Sequence, residues 1–292
     1  MKKFLSIALA LLMVCVMLPV VALAAEKTAS TYEELKSAIS TANDGDTIKL
    51  LADIDLSQTI TVNKTITLNM NGKKLYNTSD LWDKPTAEAN NWSLISVRGS
   101  GNLTITGNGT FAAKENDCYA VDVQESATVT IKNGTFIGNI HAVYVFAGTA
   151  NVEGGTYSVQ QKYPDSAKGD EFVLNCYDAN RANGTARINV TGGTFKNFNP
   201  ADNKAEGEGN NFADNSLVVQ KNNTVQNNDY YVGNAANEVI AAASKGEEIF
   251  VLNGTTLTNV PAGVIIQNRT GDRITVNGKD VELTGDAGYT VP

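Results

Sequence analysis

The stretch INVTGGTF (188–195) returns in altered form as LTITGNGTF (103–111), VTIKNGTF (129–136) and NVEGGTY (151–157). Anchored on Phe111, Phe136, Tyr157 and Phe195, the copies are spaced by 25, 21 and 38 residues. A second alternating segment precedes each copy: LISVRG (94–99), YAVDVQ (119–124), HAVYVF (141–146) and EFVLNC (171–176). Each unit therefore reads as strand, turn, strand, glycine-rich turn, aromatic residue, then a connection of variable length. Val, Ile and Thr dominate the strands, as half-buried pleated segments require. Such a unit cannot bury its apolar face alone, so the chain must stack its units and align equivalent side chains in ladders. Glycine two places before each aromatic (Gly109, Gly134, Gly155, Gly193) is expected at a bend with positive φ.

The region before the repeats supplies a way to start the stack. Tyr32, Leu35, Ala38, Ile39 and Ala42 recur at helical spacing, and Asn43-Asp44-Gly45 stops the helix. Thr31 as N-cap with Glu34 three residues on makes a capping box. An amphipathic helix over 32–43 would cover the open edge of the first unit. The segment 239–252 (VIAAASKGEEIFVL) repeats 38–51 at an offset of 201 residues, placing Gly45 on Gly246 and Ile48 on Ile249. It reads as a small helix-plus-strand unit closing the C-terminal end, or as the start of a second stack.

The order helix, GDTIKL, stacked GGTF units resembles the right-handed parallel β-helix of the pectate-lyase-like superfamily, over about residues 31–232. It is especially similar to the secreted and surface proteins of gut-type Gram-positive bacteria. The expected fold class is thus all-β: a right-handed parallel β-helix solenoid with an N-terminal amphipathic capping helix and a small C-terminal α/β unit. The expected division is a signal peptide at 1–24, the β-helix with its cap at 25–232, and the C-terminal unit at 233–292. The resemblance fixes no activity, because folds of this kind host many functions.

Lys2 and Lys3, an apolar run from Phe4, the Pro19 break and Ala22-Leu23-Ala24 form a secretory leader. Removing it takes the net charge from −8 to −10. An acidic chain with few arginines lacks the basic footprint of a nucleic-acid binder. The expectation is an extracellular or cell-surface monomer with no membrane span after leader cleavage. Cys118 and Cys176 read as buried apolar residues rather than a disulfide.

Enzymes of the resembled superfamily imply clustered Asp with an Arg base, paired Asp, Gly-His-Gly or Arg-Ile-Lys motifs; none occurs here. Asp122 and Glu171 fall in different columns of the repeat, and His141, the one histidine, has no obvious nucleophile or carboxylate partner. No catalytic residue, cofactor or metal ligand is assigned. Three long connections, 76–92, 158–171 and 196–215, follow the same corner, after Leu75, Tyr157 and Phe195, with short connections between. That pattern makes a groove. The aromatic and polar residues placed at it are Trp82, Trp92, Arg98, Tyr144, Phe146, Tyr163 and Phe212. Rings beside hydrogen-bonding groups hold sugars, so the expected function is non-catalytic glycan binding or adhesion. A polysaccharide lyase or glycoside hydrolase with an atypical site, and a structural surface spacer, are the alternatives. Rings folded back into satellite clusters under the loops are the bland reading of the same residues.

Overall fold

In the computed structural model the described residues are 24–82, 93–161, 172–201, 210–212, 216–224, 227–282 and 288–292. The leader expected at 1–24 lies outside them except for Ala24.

The chain is β-rich, and its strands fall into long parallel sheets. Successive strands visit three sheets in rotation. Thr47–Leu50 lies in an eight-stranded sheet, Ile54–Asp55 in an eleven-stranded one and Ile60–Val62 in a five-stranded one. Thr65–Asn69 then returns to the first sheet, beside Thr47–Leu50 and parallel to it. The same rotation continues through Ala186–Val190 and Gly193–Lys196.

Register is set by alternation, because a slip of one residue would turn every apolar side chain outward. Ile48, Leu68, Ile105, Ile131, Val152 and Val190 lie opposite one another across the eight-stranded sheet, and all are buried. In the five-stranded sheet the inward columns are Ile60, Ile95, Val121, Val143, Leu174 and Val62, Val97, Val123, Val145, Cys176.

The anchoring aromatics form the expected ladder. Ile54, Leu75, Phe111, Phe136, Tyr157 and Phe195 are successive register partners in the eleven-stranded sheet. Ring centroids are 4.9 Å apart for Phe111–Phe136 and 5.1 Å for both Phe136–Tyr157 and Tyr157–Phe195, with interplanar angles of 12–14°. All four rings are fully buried. Each contributes about 1.5–3 kcal/mol by burial and about 0.5–1.5 kcal/mol more per aromatic pair. The Tyr157 hydroxyl meets its hydrogen-bonding need by donating to the Gly154 carbonyl at 2.6 Å.

Three of the four repeat glycines take the left-handed conformation, with φ of +118° at Gly134, +100° at Gly155 and +121° at Gly193. Gly109 does not; in its unit Gly107 and Asn108 carry the positive φ. Space fixes Gly109 instead, since a Cβ there would lie 2.3 Å from Met70 Cβ and 2.4 Å from the Lys73 carbonyl oxygen.

Helix α1 (Tyr32–Ser40) buries Leu35, Ala38 and Ile39 against the first strands. Its cap differs from the expected box by one residue. Glu34 N–H donates to Thr31 Oγ1 at 3.2 Å, while Glu34 Oε2 accepts from Ser30 N–H, not from Thr31.

At the other end the parallel order changes. Gly193–Lys196 pairs antiparallel with Asn227–Val232, and that strand with Val218–Thr224. This hairpin is a partition: Val218 and Val232 face the first core, Leu217 and Val219 a second one. After helix α2 (Asp178–Ala182), which lies within the first stack, α3 (Asn234–Ala241) opens the C-terminal unit. There Glu248–Asn253 pairs parallel with Ile265–Asn268, and Thr256–Leu257 with Ile274–Val276. The unit thus opens with two parallel pairs, and antiparallel Lys279–Val281 and Tyr289–Thr290 lie on them. Among the described residues no helix is long and apolar enough to cross a membrane.

Cys118 and Cys176 are buried thiols and not a disulfide. Burial pushes both up, Cys176 to about 12. Only thiolate attacks disulfide reagents. Both are therefore expected to resist such a reagent at neutral pH in the native chain and to react once denaturant is added; rapid native labelling would contradict this burial.

Candidate functional site

The outer face of the five-stranded sheet gathers the polar and aromatic groups. Between the two inward columns runs an outward one: Thr61, Ser96, Asp122, Tyr144 and Asn175, each the register partner of the next. The backbone bonds that follow the strands place Arg98, Gln124, Phe146 and Tyr177 in the next column, each N–H donating to a carbonyl of the neighbouring strand in the sheet. Alternation alone sends these residues outward once the valines point in.

Three rings meet at one corner of this face. Tyr119, His141 and Tyr144 have centroid separations of 5.0 Å (Tyr119–His141), 5.1 Å (Tyr119–Tyr144) and 5.5 Å (His141–Tyr144). Trp82 closes on Tyr119 edge-on at 5.5 Å. Its backbone is held by Asp117, which accepts from the N–H groups of Leu81 and Trp82 at 2.9 Å and from the Asn77 amide. Further along, the Phe146 and Tyr177 rings stack at 4.8 Å and stay 40% and 43% exposed.

The hydrogen bonds settle the histidine tautomer. Nδ1 of His141 lies 2.7 Å from the Phe172 carbonyl oxygen, which can only accept, so Nδ1 carries the proton. Nε2 then accepts from Asn175 Nδ2 at 3.2 Å. Burial pulls the imidazole down to about 4, so it is neutral at ordinary pH. This fixes the Asn175 amide with Oδ1 turned away from the histidine. Asn175 is 7% exposed, and Oδ1 finds no hydrogen-bond partner among the described residues. Nε of Arg98, three strands away on the same face, is likewise buried and unpartnered among them. A buried polar atom without a partner costs about 1–3 kcal/mol, so Asn175 Oδ1 is left wanting a donor and Arg98 Nε an acceptor.

Between them sits Asp122, with no exposed surface. It accepts from Ser96 Oγ at 3.1 Å and from Gln124 Nε2 at 2.8 and 3.0 Å. Burial pushes its carboxyl up to about 6, although the Gln124 and Ser96 hydrogen bonds and the Arg98 charge oppose the rise. No second carboxylate flanks it on the outward columns. Among the described residues no group of three or more His, Cys, Asp or Glu is placed to hold a metal ion.

The predicted site residues divide as follows. Arg98, Tyr144 and Phe146 share the outer face, and Trp82 stands at its corner. Trp92 and Tyr163 lie outside the described residues, as do most of the three long connections. Phe212 belongs to a strand of the eight-stranded sheet, paired with Val190, and so is not on this face. Sequence reasoning missed Ser96, Gln124 and Asn175, and set aside Asp122 and His141 for want of a visible partner. Ser96, Asp122 and Asn175 are the middle letters of ISV, VDV and LNC, which become a column only once the register is known.

A groove of about 670 Å³ runs along the glycine–threonine corner, lined by residues including Lys132, Thr135, Glu153, Thr156, Thr194 and Glu238. It carries no aromatic ring. The five-stranded face combines rings with unsatisfied polar atoms and is the stronger candidate. Comparisons with protein-family models, with curated proteins and with solved structures return no match.

Proposed function

We propose that this chain is a secreted, non-catalytic glycan-binding or adhesion module, built as a right-handed parallel β-helix of the pectate-lyase-like kind. The rotation of strands through three sheets supports the solenoid reading. The leader at 1–24 supports export, and the acidic balance speaks against nucleic acid. A polysaccharide or surface glycan is the partner, and the chain acts as a monomer without a cofactor.

One observation carries the binding reading: Asn175 Oδ1, buried and unpartnered among the described residues, beside the Tyr119–His141–Tyr144 rings. Arg98 stands three strand spacings across the sheet, about 14 Å between backbones at about 4.8 Å per strand, and one outward column along. Asn175 Oδ1 asks for a donor and Arg98 Nε for an acceptor. A sugar hydroxyl is both, and an oligosaccharide covers the distance while its apolar ring faces lie on aromatic side chains.

The test is retention on a panel of plant and host polysaccharides, with assay of reducing-end and unsaturated products. Retention without product release is expected. Tyr144→Ala is expected to weaken retention at least tenfold, about 1.4 kcal/mol, while leaving the inward valines in place. Equal retention by the variant would remove the site from this face. Turnover would favour the second reading, a hydrolase or lyase, for which Asp122 is the supporting observation: a carboxyl titrating at about 6 is suited to proton transfer.

A further inference from the structure

We infer that leader removal builds an ion pair: hydrolysis of the Ala24–Ala25 bond leaves an α-ammonium on Ala25 that pairs with the Asp46 carboxylate and fastens the first strand of the fold. The cleavage rests on the leader reading; the pairing is independent of any ligand.

Ala22 and Ala24 are the small residues that a leader peptidase accepts before its cut. Ala24, Ala25 and Glu26 are exposed, so the bond is open to such an enzyme. Directly after it the chain enters the fold. Glu26–Ala29 pairs parallel with Thr47–Leu50 and is the outermost strand of the eight-stranded sheet. Ala25 is held by both of its backbone groups. Its carbonyl accepts from Thr47 N–H at 2.8 Å, and its own N–H donates to Asp46 Oδ1 at 2.8 Å. The other carboxylate oxygen, Oδ2, accepts from Asn43 N–H at 2.9 Å, in the turn after helix α1. The acid is thereby aimed at the nitrogen that cleavage sets free.

Asp46 is 2% exposed, yet none of the ion pairs among the described residues includes it. The cations near it are engaged elsewhere: Lys64 Nζ donates to the Ser40 and Ala42 carbonyls, and Lys27 Nζ to Thr41 Oγ1. The hydrogen bonds from Ala25 and then Asn43 hold the carboxyl below its ordinary value, so it is charged at neutral pH. A covered carboxylate without a counter-charge is unfavourable, and cleavage supplies the counter-charge. One water adds across the peptide bond. Ala24 leaves with the leader as a carboxylate, and Ala25 keeps the nitrogen as an amine that carries the proton at neutral pH. The nitrogen need not move. A neutral N–H···O⁻ contact becomes N⁺–H···O⁻, a stronger kind of bond, at the strand that closes the sheet edge.

The test has two arms. In the first, the full chain is exported from a Gram-positive host and its N-terminus is sequenced. The expected start is Ala-Glu-Lys-Thr, residues 25–28. A start at another residue past the leader overturns the proposal and leaves the leader reading standing; a retained Met1 sinks both. In the second, the processed chain is prepared with a free α-amine and with that amine acetylated, in the native sequence and in Asp46→Asn. Acetylation keeps an N–H for Asp46 and removes the charge. In the native sequence the free amine is expected to lower the unfolding equilibrium constant by about fivefold or more at neutral pH, and in Asp46→Asn to leave it unchanged. Equal stability of the two native forms, or a gap that survives Asp46→Asn, overturns the pair. Should Asp46→Asn not fold, salt decides on the native forms: the gap is expected to shrink toward about 1 M salt, and a gap that salt leaves unchanged overturns the pair.

Discussion

Replacing Phe136 by alanine is expected to destabilise the chain by about 3–5 kcal/mol, the range for deleting a fully buried aromatic side chain. The ring sits between Phe111 and Tyr157 at 4.9 and 5.1 Å, nearly parallel to both. Its removal opens a void that two rigid rings on hydrogen-bonded neighbouring strands cannot close, so the cost lies at the upper end of the range. Phe198, which meets Phe195 tilted at 6.4 Å at the end of the ladder, is the control; its alanine variant is expected to lose less. The measurement is denaturant unfolding of both variants with the slope compared to the native chain. A loss under about 1 kcal/mol at Phe136 would mean that the ladder is not a continuous packed column.

The second large effect has the opposite sign. Asp122→Asn is expected to stabilise the chain at neutral pH by roughly 3 kcal/mol, from a displacement of about two units at about 1.4 kcal/mol each. Burial raises the folded carboxyl above its ordinary value of 3.8 to about 6, so the native state binds this proton more tightly than the unfolded chain does. The stability it contributes is fully present below about pH 4 and is lost as pH rises through about 6. Asparagine keeps the shape and a carbonyl acceptor but never ionises. The variant and the native chain should therefore be about equally stable at about pH 4, with the gap opening above it and levelling off past about pH 7. Midpoints of unfolding measured across this range decide the sign. If the variant were less stable at neutral pH, the Arg98 charge and the Ser96 and Gln124 bonds would outweigh burial, and the carboxylate would be a structural anchor. A buried acid that lowers stability at neutral pH is the kind of feature found at working sites.

Much of the fold was legible in the letters. The four aromatic anchors identified the ladder, the second segments identified the strands of the five-stranded sheet, and the Tyr32–Ala42 periodicity identified the capping helix. These features repeat within a unit, over distances at which alternation and turn chemistry act directly. The glycine argument transferred to three positions and failed at Gly109, because close approach of Met70 and Lys73 is a contact between units that no local rule expresses. The C-terminal repeat was visible as Gly45 on Gly246. That it takes two parallel pairs before its antiparallel strands was not, since chain-direction choices at an edge depend on which strand is already there.

The site was less legible for the same reason. Outward orientation of Tyr144 and Phe146 followed from period two. Asp122 seemed isolated and His141 unpartnered because their neighbours are distant in sequence; Glu171 lies outside the described residues. Ser96 meets Asp122 across 26 residues, and His141 meets Asn175 across 34. The connections between these strands vary in length, so sequence spacing does not reveal which residues align. The sequence by itself determined which side of each strand is apolar, where each unit turns and which residue anchors it, because those are properties of a few consecutive residues. Only the tertiary structure decided which outward residues stand side by side, which buried atoms are left without partners and which carboxyl is removed from water, because neighbours across stacked strands are set by register and coverage.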